Sequence, residues 1–147
     1  MIPKFQQNGL LPPGIHWAGS LDEIRAKFAT NPHREGLYDG LVLALQALKK
    51  AGVQKVYLDG SFTTTKPNPA DYDACWDPNG LDTNLLDPTF RNFTDKRAAQ
   101  KAKYGGEFFL AGSPTGPLGK SMLEFFQQTK DGEAKGIVEI DLGRILL

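Results

Sequence analysis

The sequence predicts an α+β domain, a small mixed β-sheet with flanking helices. Three observations carry this. Two helical stripes come early, strand-like apolar runs and helical runs are then mixed, and the chain closes on "GIVEIDL", a strand by composition and period. The length of 147 residues suits one domain, with enough chain for a real core and too little for two. Residues 1–19 are expected as an extended N-terminal arm and 20–147 as the single folded unit.

The arm holds Pro3, Pro12, Pro13 and Gly14, which give it little structure of its own. In "SLDEIRAKF", Ser20 is placed to cap a short helix, Glu23 completes the capping box, and Leu21, Ile24 and Phe28 share a face. Asn31-Pro32 interrupts it. A longer helix runs from Pro32 to about Ala51, with Leu37, Leu41, Leu45 and Leu48 on one stripe and Gly52 as its stop. "VQKVYLDG" reads as a buried strand and "DYDACWD" as a second, joined by a proline-bearing loop that allows a hairpin or a close crossover. "GLDTNLLDPTF" is mostly irregular, with a turn at Asp87-Pro88. "DKRAAQKAKYG" is a basic helix that Asp95 is placed to cap, and "GEFFLAG" is strand-like. In residues 118–128 Leu118, Met122, Phe125 and Phe126 fit a helical period.

Composition excludes several classes. With 17 basic and 17 acidic residues the chain has no net charge, which argues against a bulk polyanion binder and leaves room only for a local basic patch. The single cysteine, Cys75, excludes an intrachain disulfide and a multi-cysteine metal site. The N-terminus lacks a basic region followed by an apolar run, and no run approaches the ~20 apolar residues that span a bilayer. A soluble, cytoplasmic protein without a membrane partner is expected.

The chemistry concentrates in "LDGSFTTTKPNPADYDACW". On a strand, Asp71 and Asp73 project to the same face, while Tyr72 and Ala74 point into the core. Neighbouring carboxylates raise each other's proton affinity unless a cation neutralises them, and a hard divalent ion does so well. Mg²⁺ takes one or two carboxylates and keeps waters and substrate phosphates. Gly60-Ser61, following a strand, offers backbone N–H groups and a hydroxyl to an anion. Against this stands the plain reading of Asp71 and Asp73 as solvated residues of an edge strand, with Gly60-Ser61 a simple turn.

These residues resemble the signature of the nucleotidyltransferase superfamily with the DNA polymerase beta-like fold. That signature is a strand ending in Gly-Ser, a gap of roughly ten residues, then acidic, apolar, acidic, apolar. Gly60 and Ser61 match the turn, Asp71 and Asp73 the metal carboxylates, and Tyr72 and Ala74 the apolar positions. Asp59 departs from it, standing where the family usually has an apolar residue. A third carboxylate usually comes from a later strand. "GIVEIDL" offers Asp141 and Glu139, and Asp141 is preferred because it lies nearer the strand end. Over nearly the whole length, through "GLLPPGIH", "NPHR", "RAAQKAKYGGE" and "KGIVEIDL", the chain looks like short, poorly characterised nucleotidyltransferase-like proteins of bacteria and their phages.

The resemblance implies a nucleotidyl transfer from a nucleoside triphosphate such as ATP, assisted by Mg²⁺ or Mn²⁺. Asp71, Asp73 and Asp141 would be the metal and catalytic carboxylates. Gly60 and Ser61 would bind the triphosphate. The acceptor, whether RNA, protein or small molecule, is left open. A partner protein and a toxin–antitoxin or phage-defence setting follow by family analogy alone. The alternative is a non-catalytic binding or antitoxin-like module on the same fold.

Other motifs weigh less. Arg97 and Lys101, spaced i, i+4 on the basic helix with Lys96 and Lys103, are candidates for a triphosphate or RNA backbone, although helical charge runs are commonly solvated faces. "GSPTGPLGKS" ends as a P-loop does, but its first glycine position is Pro114, which has no N–H to offer phosphate. His16 and His33 lack ligand spacing to each other, and Cys75 is expected to pack.

Overall fold

The computed structural model describes residues 1–115 and 119–147. Its centre is a five-stranded mixed sheet in the order β1-β5-β2-β3-β4. The strands are β1 (Gly14–Trp17), β2 (Lys55–Asp59), β3 (Tyr72–Trp76), β4 (Gly106–Leu110) and β5 (Gly136–Asp141). β2 runs antiparallel to both neighbours, β3 and β5, while β1 lies parallel to β5 and β4 parallel to β3. The α+β expectation holds in its layers: a mixed sheet with helices against it.

The helices are α1 (Leu21–Phe28), α2 (Pro32–Lys50), α3 (Thr94–Tyr104) and α4 (Met122–Phe126). α1 starts at its expected cap, Ser20 accepting from Glu23 N, but the box is not completed: the Glu23 carboxylate accepts from Gly19 N and Ile2 N instead. α2 is capped by Asn31, which accepts from Arg34 N, a cap not expected from the sequence. Leu41, Leu45 and Leu48 are fully buried against Val56, Leu58, Tyr72, Ala74, Val138 and Ile140 on one sheet face. Each such aliphatic contributes ~1.5–3 kcal/mol. α4 covers part of the other face, packing Phe126, Met122 and Leu123 with Tyr57, Cys75, Phe109 and Ile137.

Three elements differ from expectation. Gly14–Trp17 of the arm joins the sheet as edge strand β1, paired in register with Gly136–Glu139, and Ile2 and Leu11 of the arm are buried. Local composition masks this strand, because its partner lies more than a hundred residues away. Asp95 does not cap α3. Asp95, Lys96 and Arg97 all have positive φ (51°, 54° and 63°), and the cap position is Phe93, with no side-chain bond. Regular right-handed helix follows this left-handed turn. The predicted helix over 118–128 shortens to α4, which Ser121 and Glu124 start with a capping box. Leu118 lies outside the described residues.

The strand directions decide where function can sit. The C-terminal end of β2 and the N-terminal ends of β3, β4 and β5 meet at one end of the sheet.

Candidate functional site

That end gathers Asp59, Gly60 and Ser61 after β2, Asp71 and Asp73 at β3, Glu107 at β4 and Lys135 before β5. In register, Asp73 stands between Asp59 on one side and Glu107 on the other. All three side chains share the face away from α2, because Leu58, Tyr72, Ala74 and Phe108 take the opposite one. A row of three acids therefore crosses three adjacent strands, with Asp71 beside it.

The Gly60 turn is built against this row. Gly60 has φ +86°, and a Cβ there would lie 2.9 Å from Asp73 Oδ2 and 3.0 Å from Asp73 N. Only glycine suits both the left-handed backbone and the close approach. Ser61–Thr63 then forms one turn of 3₁₀ helix.

What holds the loop beyond it is the start of α2. The Arg34 side chain is buried and donates to the carbonyls of Phe28 (2.9 Å), Phe62 (2.8 Å), Thr64 (2.7 Å), Ser61 (3.4 Å) and Lys66 (3.2 Å). Asn31 Nδ2 donates to Pro67 O at 2.8 Å, and His33 Nε2 bonds Pro69 O. The segment "NPHR" is thus the clamp on the proline-bearing loop, a role its sequence did not disclose. His16 bonds the Pro12 carbonyl, so neither histidine is placed as a metal ligand.

Charge at the site is incompletely compensated. Burial, then the neighbouring carboxylates of Asp59, Asp71 and Glu107, push Asp73 up to about 7, with Lys135 opposing. Burial also raises Asp59, again against Lys135, and burial and Glu107 raise Asp71 against Lys101 and Lys66. Lys101 Nζ lies 2.8 Å from Glu107 Oε1 and 3.9 Å from Asp71 Oδ2. Lys135 Nζ lies 3.0 Å from Asp59 Oδ1, yet that oxygen, fully buried, has no hydrogen-bond partner. The contact is an ion pair bent out of hydrogen-bond geometry.

The predicted residues divide in two. Asp71, Asp73, Gly60, Ser61 and Lys101 come together. Arg97 makes no ion pair with them: its guanidinium stacks 3.9 Å above the Phe109 ring and 5.0 Å from that of Phe93, on the same face of β4 as Glu107. Asp141 is not with them. It pairs in register with Lys55, at the opposite end of β2 from Asp59, accepts a hydrogen bond from Gly143 N, and lies 3.7 Å from Arg144 Nε as an exposed ion pair. There it lines a separate groove with Trp17, Lys55 and Glu139. The cause is the antiparallel pairing of β5 with β2, which carries the end of β5 away from the Gly60 turn. The position expected of Asp141 is taken by Glu107, whose signal was available: like Asp73, it is the second residue of its strand.

Gly119-Lys120-Ser121 is no phosphate cradle. Ser121 caps α4, and Lys120 Nζ donates to Gln128 Oε1 at 3.0 Å. Cys75 is buried, its thiol pushed up to about 12 by burial and by Asp59, and is inert.

The acids fit a hard cation in kind: oxygen donors, half to fully buried, with an uncompensated carboxylate at Asp73. Among the described residues no three His, Cys, Asp or Glu side chains are already gathered as a metal site. Lys101 stands between Asp71 and Glu107 and would have to give way.

Fold and site together define an α+β protein with a carboxylate row beside a glycine turn at one sheet end. The chain belongs to a family of unknown function, DUF6932, whose model matches residues 3–141. No curated protein and no solved structure matches it. No helix among the described residues is long and apolar enough to cross a membrane.

Proposed function

We propose that the protein is a Mg²⁺- or Mn²⁺-dependent nucleotidyltransferase on a DNA polymerase beta-like fold. The observation that carries this is the meeting of Asp71, Asp73 and Glu107 with the Gly60-Ser61 turn at one end of the sheet. Asp71, Asp73 and Glu107 are the residues that would hold the metal, and Glu107 replaces Asp141 as third carboxylate. When bound, the metal supplies charge neutralisation for the phosphates and a Lewis acid at the attacking and leaving oxygens.

The chain's own groups do the rest. The Gly60-Ser61 turn presents backbone N–H and hydroxyl donors to the triphosphate. Arg34 keeps that turn in shape by occupying its carbonyls, leaving the loop no freedom to collapse onto the acids. Arg97, prevented from swinging by its aromatic stack, and Lys101 offer positive charge at the β4 side of the row for triphosphate or acceptor phosphates. The elevated Asp73 carboxyl makes the metal-free site reluctant to ionise, so cation binding and proton release are coupled. The acceptor class, RNA, protein or small molecule, and any partner protein belong to this same reading.

A binding module without catalysis is the second reading. The placement of Asp141 at the far end of β5 favours it, because one acid expected of the enzyme is missing from the row. One experiment separates the two. Incubated with nucleoside triphosphate and cell RNA or protein, the enzyme transfers α-phosphate label, not γ-phosphate label, to an acceptor, and the Asp71→Ala/Asp73→Ala variant transfers none. Absence of label with every nucleotide and acceptor fraction favours the module.

A further inference from the structure

The least explained contact at the site is Lys135 with Asp59. Lys135 immediately precedes β5, and its side chain is 14% exposed; that of Asp59 is 4% exposed. A buried ion pair is stable when hydrogen bonds satisfy what burial removes from water. This pair is satisfied only in part, the Gly60 backbone and the lysine both favouring the Asp59 carboxylate against its burial. Asp59 Oδ1 has no hydrogen-bond partner, and no described group accepts a hydrogen bond from the Lys135 ammonium, which has three donors. Neither residue is explained by packing alone, since an apolar pair at both positions would avoid the desolvation cost.

Both line a cavity of about 440 Å³. Gly60, Ser61, Thr64, Thr129 and Lys130 line it too, and so does the Asp73 carboxylate. Lys135 therefore shares a space with the turn, the hydroxyls of Ser61, Thr64 and Thr129, a second lysine, and the carboxylate of Asp73. A ligand that satisfies this set is a compact, multiply charged oxyanion that carries a divalent cation, the anion meeting the lysines and hydroxyls and the cation meeting Asp73.

From this we infer that Lys135, held in place by Asp59, is a polyphosphate-contacting residue, and that the cavity receives the pyrophosphate portion of a nucleotide or free pyrophosphate. Asp59 is a positioning residue: its buried carboxylate fixes the ammonium beside the turn, and its own negative charge is spent on the lysine. The inference rests on the nucleotidyl-transfer reading for its biological setting, but the site stands on the cavity and the partly satisfied buried pair. It also accounts for an acid at position 59, directly before the turn glycine. Without Lys135 a carboxylate there would repel phosphate, and with Lys135 it orients the charge that attracts it.

The test is calorimetric titration of the full chain with inorganic pyrophosphate in the presence of Mg²⁺. Lys135→Met is expected to weaken binding about tenfold to hundredfold, the loss typical of a charge-assisted contact. Lys135→Arg is expected to restore most of it. Should Lys135→Met not fold, with Asp59 left unpaired, the Asp59→Asn/Lys135→Met double variant carries the test, since no buried charge is then stranded. Wild-type affinity in that double variant, or a Lys135→Met protein that binds Mn²⁺ more tightly with unchanged pyrophosphate affinity, overturns the inference. In the second case the lysine is only a stand-in for the metal. Pyrophosphate binding that depends on Lys135 in a protein that transfers no label keeps the site and removes the transferase reading. Label transfer with unaltered KM for the nucleotide in Lys135→Met keeps that reading and removes the site.

Discussion

Asp59 and Asp73 stand directly opposite one another on the antiparallel strands β2 and β3, both on the face away from α2. Like charges so placed are unfavourable, and only one has a lysine of its own. The first prediction follows from the other. A carboxyl raised from its ordinary range to about 7 favours the folded state while protonated. Its contribution is fully present below about pH 4 and is lost as pH rises through 7. Metal-free Asp73→Asn is therefore expected to be more stable than wild type at pH 8, by on the order of 2–4 kcal/mol, with the difference vanishing toward pH 4. The same variant loses Mn²⁺ binding. Denaturant melts at the two pH values, with a metal titration, check both; a variant less stable at pH 8 would mean that Asp73 is held by favourable contacts.

Glu107 and Asp141 make opposite predictions. Glu107→Gln removes an acid from the row beside Asp73 and is expected to weaken Mn²⁺ affinity at least tenfold, and any label transfer with it. Asp141→Asn, at the Lys55 end of β2, is expected to leave both within about twofold. A reversed result in side-by-side titrations would restore Asp141 to the site and disprove the sheet pairing described above.

Arg34 is the structural keystone of the loop. Replacing it with Met leaves its loop carbonyls without their donor, at ~1–3 kcal/mol for each one that water does not reach. A loss of at least ~3 kcal/mol is expected, with earliest proteolysis between residues 61 and 69. Arg34→Lys should not rescue it, because one ammonium does not span the positions a planar guanidinium reaches. Limited proteolysis and chemical denaturation read this directly; a variant of unchanged stability and cleavage pattern would refute it.

Gly60→Ala is expected to distort the site more than the fold. The added Cβ meets Asp73 Oδ2 and N at a φ that alanine tolerates poorly. A cost of about 1–3 kcal/mol is expected, together with loss of metal-dependent nucleotide binding. Tight nucleotide binding by this variant, measured by calorimetry, would show that the turn is not part of the site.

Much of this was readable from local sequence. The cap at Ser20, the break at Asn31-Pro32, the leucine stripe of α2, the runs of β2 to β5, and the spacing of Asp71 and Asp73 after Gly60-Ser61 depend on residues a few positions apart, within reach of propensity and period. The rest depended on the sheet. β1 is a strand because β5 offers it a partner, not because "GIHW" demands one. Arg97 needed the left-handed turn and Phe109 to define its place. Above all, sequence alone named a late acid without its end of the sheet. Strand order and direction are settled by burying the apolar faces of the whole sheet at once. Antiparallel pairing of β5 with β2 then sends Asp141 to the far end and brings Lys135 to Asp59, while parallel pairing of β4 with β3 sets Glu107 beside Asp73.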